Sequence, residues 1–144
     1  MLTRESVRCA SPVQTLLLKT ERRTQLVDVT QAVRQAVRGQ AGSAAVVFVP
    51  HTTAGIVLQA SGEEANAVAS DLERALEELV DESWEWEHTE EGDRNPWSHV
   101  RASLTASSVT IPLEDGELAL GDLQTVFFCE FDGPRKRRIH VTVT

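Results

Sequence analysis

The sequence has no long apolar run and no excess of basic residues. None of its apolar stretches approaches the roughly 20 residues needed to cross a bilayer, and the segment from Met1 to Ser6 lacks the apolar character of a secretory signal. The formal net charge of −8 argues against nucleic acid as the main partner, because that affinity depends on neutralising phosphates. We therefore expect a cytoplasmic protein that binds neither membranes nor nucleic acid.

Cysteine is scarce and its spacing forms no motif. Cys9 and Cys129 are far apart and form no CxxC pair, so neither a redox motif nor a zinc knuckle is expected. Both lie in apolar, strand-like surroundings, which favours buried and reduced thiols. The chain of 144 residues also has no internal repeat. Its length and composition predict one domain over residues 1–144.

The sequence does contain many short strand-like segments around two helical ones. Apolar residues at helical spacing predict helices over Thr30–Arg38 and from about Ser61 to Val80. The apolar run Ala44–Val49 predicts a central strand buried on both faces. There is no regular alternation of strands and helices, so the pattern predicts an α+β fold with two main helices on a largely antiparallel sheet. The other strand-like segments are 6–9, 14–19, 26–29, 56–58, 109–111, 118–120, 125–131 and 139–143.

Three of the four histidines fall at breaks between these segments. His51 follows the apolar run, and His88 and His99 bracket an acidic stretch that has no periodicity. Loops of that length in compact domains are usually functional or disordered. A short helix over residues 98–104 would place His99 in its first turn, where backbone N–H groups attract anions. These positions predict one converging site.

The residues leave three interpretations of this site open. In the first, the histidines bind a divalent ion such as zinc, although their spacing matches no metal signature, and a carboxylate is supplied by Glu87, Asp93 or Glu130. In the second, they act as acid and base on a phosphorylated substrate, whose oxygens are bound by Thr52, Thr53, Ser98, Ser103 and either Arg135 or Arg138. In the third, each histidine only satisfies a local hydrogen bond, as expected of His140.

Two carboxylates contrast in their surroundings. Glu130 interrupts an otherwise apolar strand, where a charge is costly unless it is paired or belongs to a site, so we predict a functional or paired role. Asp71 falls off the apolar stripe of the second helix and is typical of a solvated surface acid. The basic cluster Arg135–Arg138 is typical of a solvated turn or strand face, or alternatively of a local anion site.

The order of five segments resembles one known family. The segments are His51–Gly55, Trp86–His88, Gly92–His99, Gly121–Gln124 and Glu130–Arg135. Together they are similar to the YjbQ-like family, also called the secondary thiamine-phosphate synthase family, and the resemblance covers essentially the whole chain. The His-Thr-Thr-Ala and Glu-Phe-Asp-Gly-Pro-Arg sequences are its most specific parts.

The resemblance implies a fold, an assembly and a site. The fold is a small α+β domain with a sandwich-like core, assembled as a homotrimer. The catalytic residues it implies are His51, His88, His99 and Glu130, with Asp71 in support. The three histidines would also bind a divalent metal, Zn or Mg. Combined with the second interpretation, the resemblance assigns phosphate binding to Thr52, Thr53, Ser98 and Arg135.

The activity implied by the resemblance joins hydroxymethylpyrimidine diphosphate to thiazole phosphate and releases diphosphate. The alternative is a non-catalytic trimeric protein that binds a phosphorylated metabolite or a divalent metal. Three departures from the family pattern affect the pocket wall or subunit contacts more than the histidines. The departures are Gln59-Ala60-Ser61 in place of Asn-Glu-Asn, Gly121-Asp122-Leu123-Gln124 in place of Gly-Thr-Trp-Gln, and Ala106 in place of glycine. Substrate preference is therefore the property that transfers least.

Overall fold

The computed structural model describes residues 13–60, 65–89 and 95–144. The predicted strand over 6–9 with Cys9, the predicted helix start at 61–64, and Asp93 lie outside these residues.

All pairings between the described strands are antiparallel, which agrees with the predicted α+β class. The elements are β1 Gln14–Lys19, β2 Gln25–Asp28, α1 Thr30–Val37, β3 Ala44–Phe48, β4 Ala54–Ala60, α2 Ala65–Leu79, α3 Pro96–Leu104, β5 Ser108–Glu114, β6 Glu117–Leu118, β7 Gln124–Glu130 and β8 Lys136–Val143.

The strands form two sheets with the main core between them. One sheet has the order β1-β8-β3-β5-β6 and the other the order β2-β7-β4. Successive side chains of a strand point to opposite faces, so Ile139 and Val141 of β8 and Phe128 of β7 reach the same core. Val33 and Val37 of α1 join this core. The arrangement confirms the predicted sandwich-like fold.

A second core lies on the opposite face of the three-stranded sheet. Phe127, Cys129 and Phe131 alternate with the residues that face the main core, and they pack with Ala69 of α2. Burial raises the pKa of the Cys129 thiol to about 12, as expected for an unreactive, reduced cysteine. The molecule therefore has three layers, with two sheets followed by the helical layer.

The structure corrects the prediction for the apolar run that forms β3. The run is buried on one face only, because Ala45 and Val47 are inaccessible while Phe48 is 42% exposed. In the described part of the chain no layer covers the outer face of the five-stranded sheet. Leu79, predicted in the core stripe of the second helix, is 63% exposed because it lies at the end of α2.

The start of α1 at Thr30 agrees with the prediction, but a hydroxyl N-cap, which the threonine at the start of this segment predicts, is not formed. The N-cap is Val29, which makes no side-chain capping bond, and the hydroxyl of Thr30 instead accepts the N–H of Val126 in β7 at 2.9 Å. Helix α3 begins at Pro96, two residues before the predicted start, so His99 is its fourth residue. Among the described helices, none combines the length and the apolar character required to cross a membrane.

Candidate functional site

The candidate site lies where two connections between the sheets run side by side. One connection joins β3 to β4 and the other joins β7 to β8. The N–H of Phe131 donates to the carbonyl of Thr53 at 3.1 Å, and the N–H of Arg138 donates to Nε2 of His51 at 3.0 Å. These bonds hold the two most specific sequence motifs against each other, although about 80 residues separate them in the chain.

A cavity of about 600 Å³ opens between these connections. An adjoining cavity of about 490 Å³ shares His51, Thr52, His99 and Ser107 with it, so the two form one depression. The predicted residues at the wall of the larger cavity are His51, Thr52, Thr53, His99 and Arg135, and its other lining residues are Phe48, Val49, Pro50, Asn95, Ser107, Asp132 and Arg137. The predicted Ser103 lines the adjoining cavity.

His51 is a half-buried imidazole at the junction of the two cavities. Burial lowers its pKa, and the nearby charges of Arg137 and Arg138 lower it further. A neutral imidazole whose Nε2 accepts a hydrogen bond carries its proton on Nδ1. At neutral pH His51 therefore has a donor to offer at Nδ1, and its acceptor nitrogen is already bonded to the Arg138 amide.

His99 and His88 form a pair beside the cavity. Their rings are arranged edge to face, with centroids 5.4 Å apart. His99 lines the cavity from α3, whereas His88 faces a neighbouring groove beside Trp86. Nε2 of His88 is 3.2 Å from Oδ1 of Asn95. The structure thus brings His88 and His99 together, and His99 shares the lining of both cavities with His51.

The predicted metal site was tested against the donor atoms. No group of three histidine, cysteine, aspartate or glutamate residues within ranges 13–60, 65–89 and 95–144 could hold a metal ion. The predicted carboxylate, Glu130, is fully buried and does not line the cavity. The described residues of one chain therefore do not form a site in which three histidines bind a divalent ion.

Glu130 is the centre of a buried hydrogen-bond network. Its carboxylate accepts Nε of Arg137 at 2.7 Å and Nη2 at 2.5 Å, and the hydroxyl of Thr20 at 2.9 Å. The backbone N–H groups of Phe131 and Asp132 also donate to it, at 3.0 and 2.9 Å. Five donors satisfy both oxygens, so Glu130 takes the paired role that its apolar strand predicted.

A second carboxylate, Asp132, lies at the cavity wall in a more exposed pair. Its Oδ2 accepts Nη2 of Arg135 at 2.6 Å and Nδ2 of Asn95 at 2.8 Å. The guanidinium of Arg135 is 50% exposed. Asn95 links this pair to His88. Asn95, Asp132 and Arg135 of this hydrogen-bonded chain therefore form one side of the cavity.

Glycine is required in the turn that carries these residues. A Cβ at Gly133 would overlap the carbonyl oxygen of Arg22 and crowd the side chains of Glu130 and Thr20. The turn between β7 and β8 therefore packs directly on the segment that follows β1. This packing explains the Asp-Gly-Pro sequence at the edge of the site.

Besides Glu130 and His88, two more predicted site residues do not line the cavity. The hydroxyl of Ser98 is fully buried and donates to the carbonyl of Phe131 at 2.6 Å, so it ties α3 to the end of β7. Asp71 is 72% exposed and pairs with Arg74 at 3.1 Å on the surface of α2. Both placements favour a role in the fold or at the surface over contact with a ligand.

Arg137 and Asn95 are among the residues of the site that the sequence did not single out. Arg137 lies in the basic cluster that is typical of a solvated face or alternatively of a local anion site, and only 6% of its side chain is exposed. The alternation of β8 could have revealed it, because Arg137 shares the inward phase of Ile139 and Val141. Asn95 carries no such signal, since it precedes a proline at the end of an aperiodic loop.

Comparison with known proteins shows similarity over nearly the whole chain. The profile of the UPF0047 protein YjbQ-like family matches residues 14–144. A UPF0047 protein of Methanocaldococcus jannaschii is 37% identical over 128 residues, covering 88% of this chain and 89% of that protein. UPF0047 protein YugU of Bacillus subtilis is 34% identical, covering 90% and 96%.

Solved structures give the same result for the fold. The crystal structure of an uncharacterised YjbQ/UPF0047-family protein from Clostridium acetobutylicum matches with a TM-score of 0.83 and 37% identity, covering 91% of this chain and 99% of that one. A hypothetical protein from Aeropyrum pernix matches with a TM-score of 0.84 and 31% identity, covering 92% and 98%. Sequence and fold therefore agree with the resemblance found in the motifs.

Proposed function

This chain belongs to the YjbQ-like UPF0047 family, and from that membership and the geometry of its cavity we propose that it binds the phosphate group of a small phosphorylated metabolite. The observation that carries the proposal is the set of donors around one cavity, namely the Nδ1–H of His51, the hydroxyl of Thr52 and the guanidinium of Arg135. Such donors match the acceptor oxygens of phosphate.

For the reaction, we propose the transfer implied by the resemblance. The nitrogen of the thiazole ring attacks the methylene carbon of hydroxymethylpyrimidine diphosphate and forms a C–N bond. The C–O bond to diphosphate breaks, and diphosphate leaves with the electron pair. The attacking nitrogen carries no proton, so the step needs donors that stabilise the leaving group rather than a base. A neutral His51 that donates from Nδ1 suits this role.

A non-catalytic binding protein is the second candidate, and the pairing of the carboxylates agrees with it. Asp132 is engaged by Arg135 and Asn95, and Glu130 is engaged by Arg137. Among the described residues around the cavity, no carboxylate is left to act as a general base. Reactions that require removal of a proton by a carboxylate are therefore not favoured. Neither binding alone nor the attack of the thiazole nitrogen needs such a group, so a turnover assay must separate the two candidates.

We propose homotrimer formation as well, supported by the uncovered face of the five-stranded sheet. Leu17 and Phe48 expose 79% and 42% of their surface on that sheet, and Phe48 also lines the cavity. Sedimentation velocity of the full chain should show a species of three chains.

The Zn or Mg ion stays a prediction. Elemental analysis of the purified protein would measure its metal content.

The test of the function is turnover by the full chain. We expect thiamine phosphate and diphosphate to form from both substrates, and His51→Ala to reduce the rate at least about tenfold because a charge-assisted donor is lost. Arg38→Ala, an exposed arginine after α1, is the control and should be unaffected.

The outcomes separate the two candidates. Turnover that survives His51→Ala would refute the assignment of this residue to the site. Calorimetric binding of diphosphate without turnover would select the non-catalytic protein. If the wild-type chain neither turns over nor binds diphosphate, the proposed function is wrong.

A further inference from the structure

Arg137 also borders the cavity, but the proposed phosphate binding by His51, Thr52 and Arg135 does not involve it. It lies in β8 opposite Leu18 of β1, and its side chain is 94% buried because β8 turns it toward the inside of the sandwich. Its neighbours Lys136 and Arg138 are exposed on the outer face, where a second, apolar depression is lined by Leu17, Leu18, Lys19, Lys136, Arg138 and Arg137 itself. Arg137 also lines the 600 Å³ cavity, and its Nη2 donates to Thr53 at the wall of that cavity, so its guanidinium belongs to the inner side.

The hydrogen bonds of Arg137 fix the orientation of its guanidinium. Nε and Nη2 donate to the two oxygens of Glu130, and Nη2 also donates to the hydroxyl of Thr53 at 2.9 Å. A bidentate pair of this kind sets the plane of the guanidinium. Because the side chain is already ordered, binding a ligand would cost little of its rotamer entropy.

One end of the guanidinium remains available. The two N–H groups of Nη1 have no acceptor among the described residues, since every hydrogen bond of Arg137 comes from Nε or Nη2. The fully buried polar atoms without a partner in the described chain belong to Thr24, Gln40, Trp97 and Arg101, so Nη1 is not sealed from solvent. Nη1 is therefore an oriented donor that solvent can reach.

The charge of Arg137 is only partly cancelled at the cavity. Glu130 does not line the cavity, and three further donors from Thr20, Phe131 and Asp132 stabilise its negative charge from other directions. The negative partner is thus held away from the cavity while the guanidinium borders it. Among the residues that line the cavity, Arg135 and Arg137 are cationic and Asp132 is anionic, so the lining carries an excess positive charge that favours an anion.

We propose that Arg137, through Nη1, is the residue that anchors the phosphate oxygens in the cavity, with His51 and Thr52 as its partners in binding. The proposal rests on the proposed function and names the residue that dominates its affinity. Arg135 plays a smaller part, because its half-exposed guanidinium already pairs with Asp132 and must be ordered when a ligand binds. The expected ligand is a tetrahedral oxyanion, either free phosphate or a phosphate ester.

The experiment removes the charge of Arg137 without leaving its partner buried and unpaired. The double variant Arg137→Met with Glu130→Leu replaces the ion pair by apolar side chains of similar size, a change that is often neutral for stability. We expect its Kd for inorganic phosphate and for diphosphate, measured by calorimetry on the full chain, to rise at least about tenfold. Arg135→Gln should raise the Kd only by about a factor of two or three, and Arg38→Gln not at all.

A measurement on the wild-type chain does not depend on any variant folding. Arg101 and Arg137 are the buried arginines of the described chain, so their Nε–H signals should be resolved in ¹⁵N spectra. Saturating phosphate should shift one of the two, because only Arg137 lines the cavity. Arg101, which donates to the carbonyls of Glu77 and Val80, serves as the internal reference.

The outcomes distinguish this proposal from the one on which it rests. If wild type binds phosphate and the folded double variant binds it equally well, the role of Arg137 is refuted while the proposed function stands. A wild-type complex in which neither buried Nε–H signal moves also refutes it. If wild type binds neither phosphate nor diphosphate, both proposals fail. The same calorimetry with thiazole phosphate tests the ester, and weaker binding of thiazole phosphate than of inorganic phosphate would identify free phosphate as the source of the anion.

Discussion

Two arginine–carboxylate pairs within one eight-residue segment have opposite surroundings. Arg137 and Glu130 expose 6% and 0% of their side chains, whereas Arg135 and Asp132 expose 50% and 19%. The contacts are of similar length, at 2.5 and 2.6 Å. The difference is that water cannot replace a lost partner in the buried pair, so removing one partner there leaves an uncompensated charge. Equal geometry therefore does not imply equal contribution to stability.

The largest effect is expected from breaking the buried pair. Glu130→Gln should lower the free energy of unfolding by about 3–5 kcal/mol, because Arg137 then stays charged without a full partner. Urea denaturation followed by tryptophan fluorescence measures it. Glu114→Gln, at an exposed position in β5, is the matched control. A loss below about 1 kcal/mol for Glu130→Gln would mean that water reaches the pair.

The double variant Arg137→Met with Glu130→Leu sharpens the same comparison. Its stability should lie much closer to wild type than that of Glu130→Gln, because neither buried charge remains. If both variants lose stability equally, packing around the pair matters more than its charge.

A smaller effect is expected from the exposed pair. Asp132→Asn should lower the free energy of unfolding by about 0.2–1 kcal/mol, since solvent can hydrate the guanidinium of Arg135 after the change. The same urea titration provides the value. A loss comparable to that of Glu130→Gln would show that the chain of bonds through Asn95 to His88 stabilises the fold as a unit.

The smallest effect concerns pH. The pKa of His51 in the folded chain lies below its ordinary value of 6.5, chiefly because of burial. As pH falls through 6.5, the unfolded chain binds the proton first, so stability decreases until the lowered folded pKa is passed. Wild type should therefore lose more stability than His51→Gln between about pH 7.5 and pH 5. An equal loss in both proteins would show that His51 is not the group responsible.

The sequence was most informative where a strand pattern was broken by one residue. Glu130 interrupts an apolar run, and burial physics alone required a partner for it. The same argument was available for Arg137, since it shares the inward phase of β8, but four consecutive basic residues concealed the alternation. The basic composition around Arg137 indicated a solvated surface, whereas the alternation of β8 indicated an inward side chain. Only the buried fraction of the side chain in the structure distinguishes the two.

The histidines illustrate the opposite limit. Of the three, His51 and His88 lie between elements and His99 lies within α3, and His51 and His99 do border one cavity. Their arrangement as three metal ligands was not predictable, because it depends on distances between loops. His88 faces a neighbouring groove, and nothing in the spacing of the sequence distinguishes this placement from convergence.

By itself the sequence determined the α+β class, most of the strands, the family motifs and the need for a partner at Glu130. These follow from periodicity, from turn residues and from the cost of burying a charge, all of which are local properties. Only the tertiary structure decided that Arg137 is that partner and that it lines the cavity beside His51. The reason is physical. The hydrogen bond from Arg137 to Thr53 at the cavity joins residues 84 positions apart, so it depends on how the sheets stack. Local patterns do not contain that information.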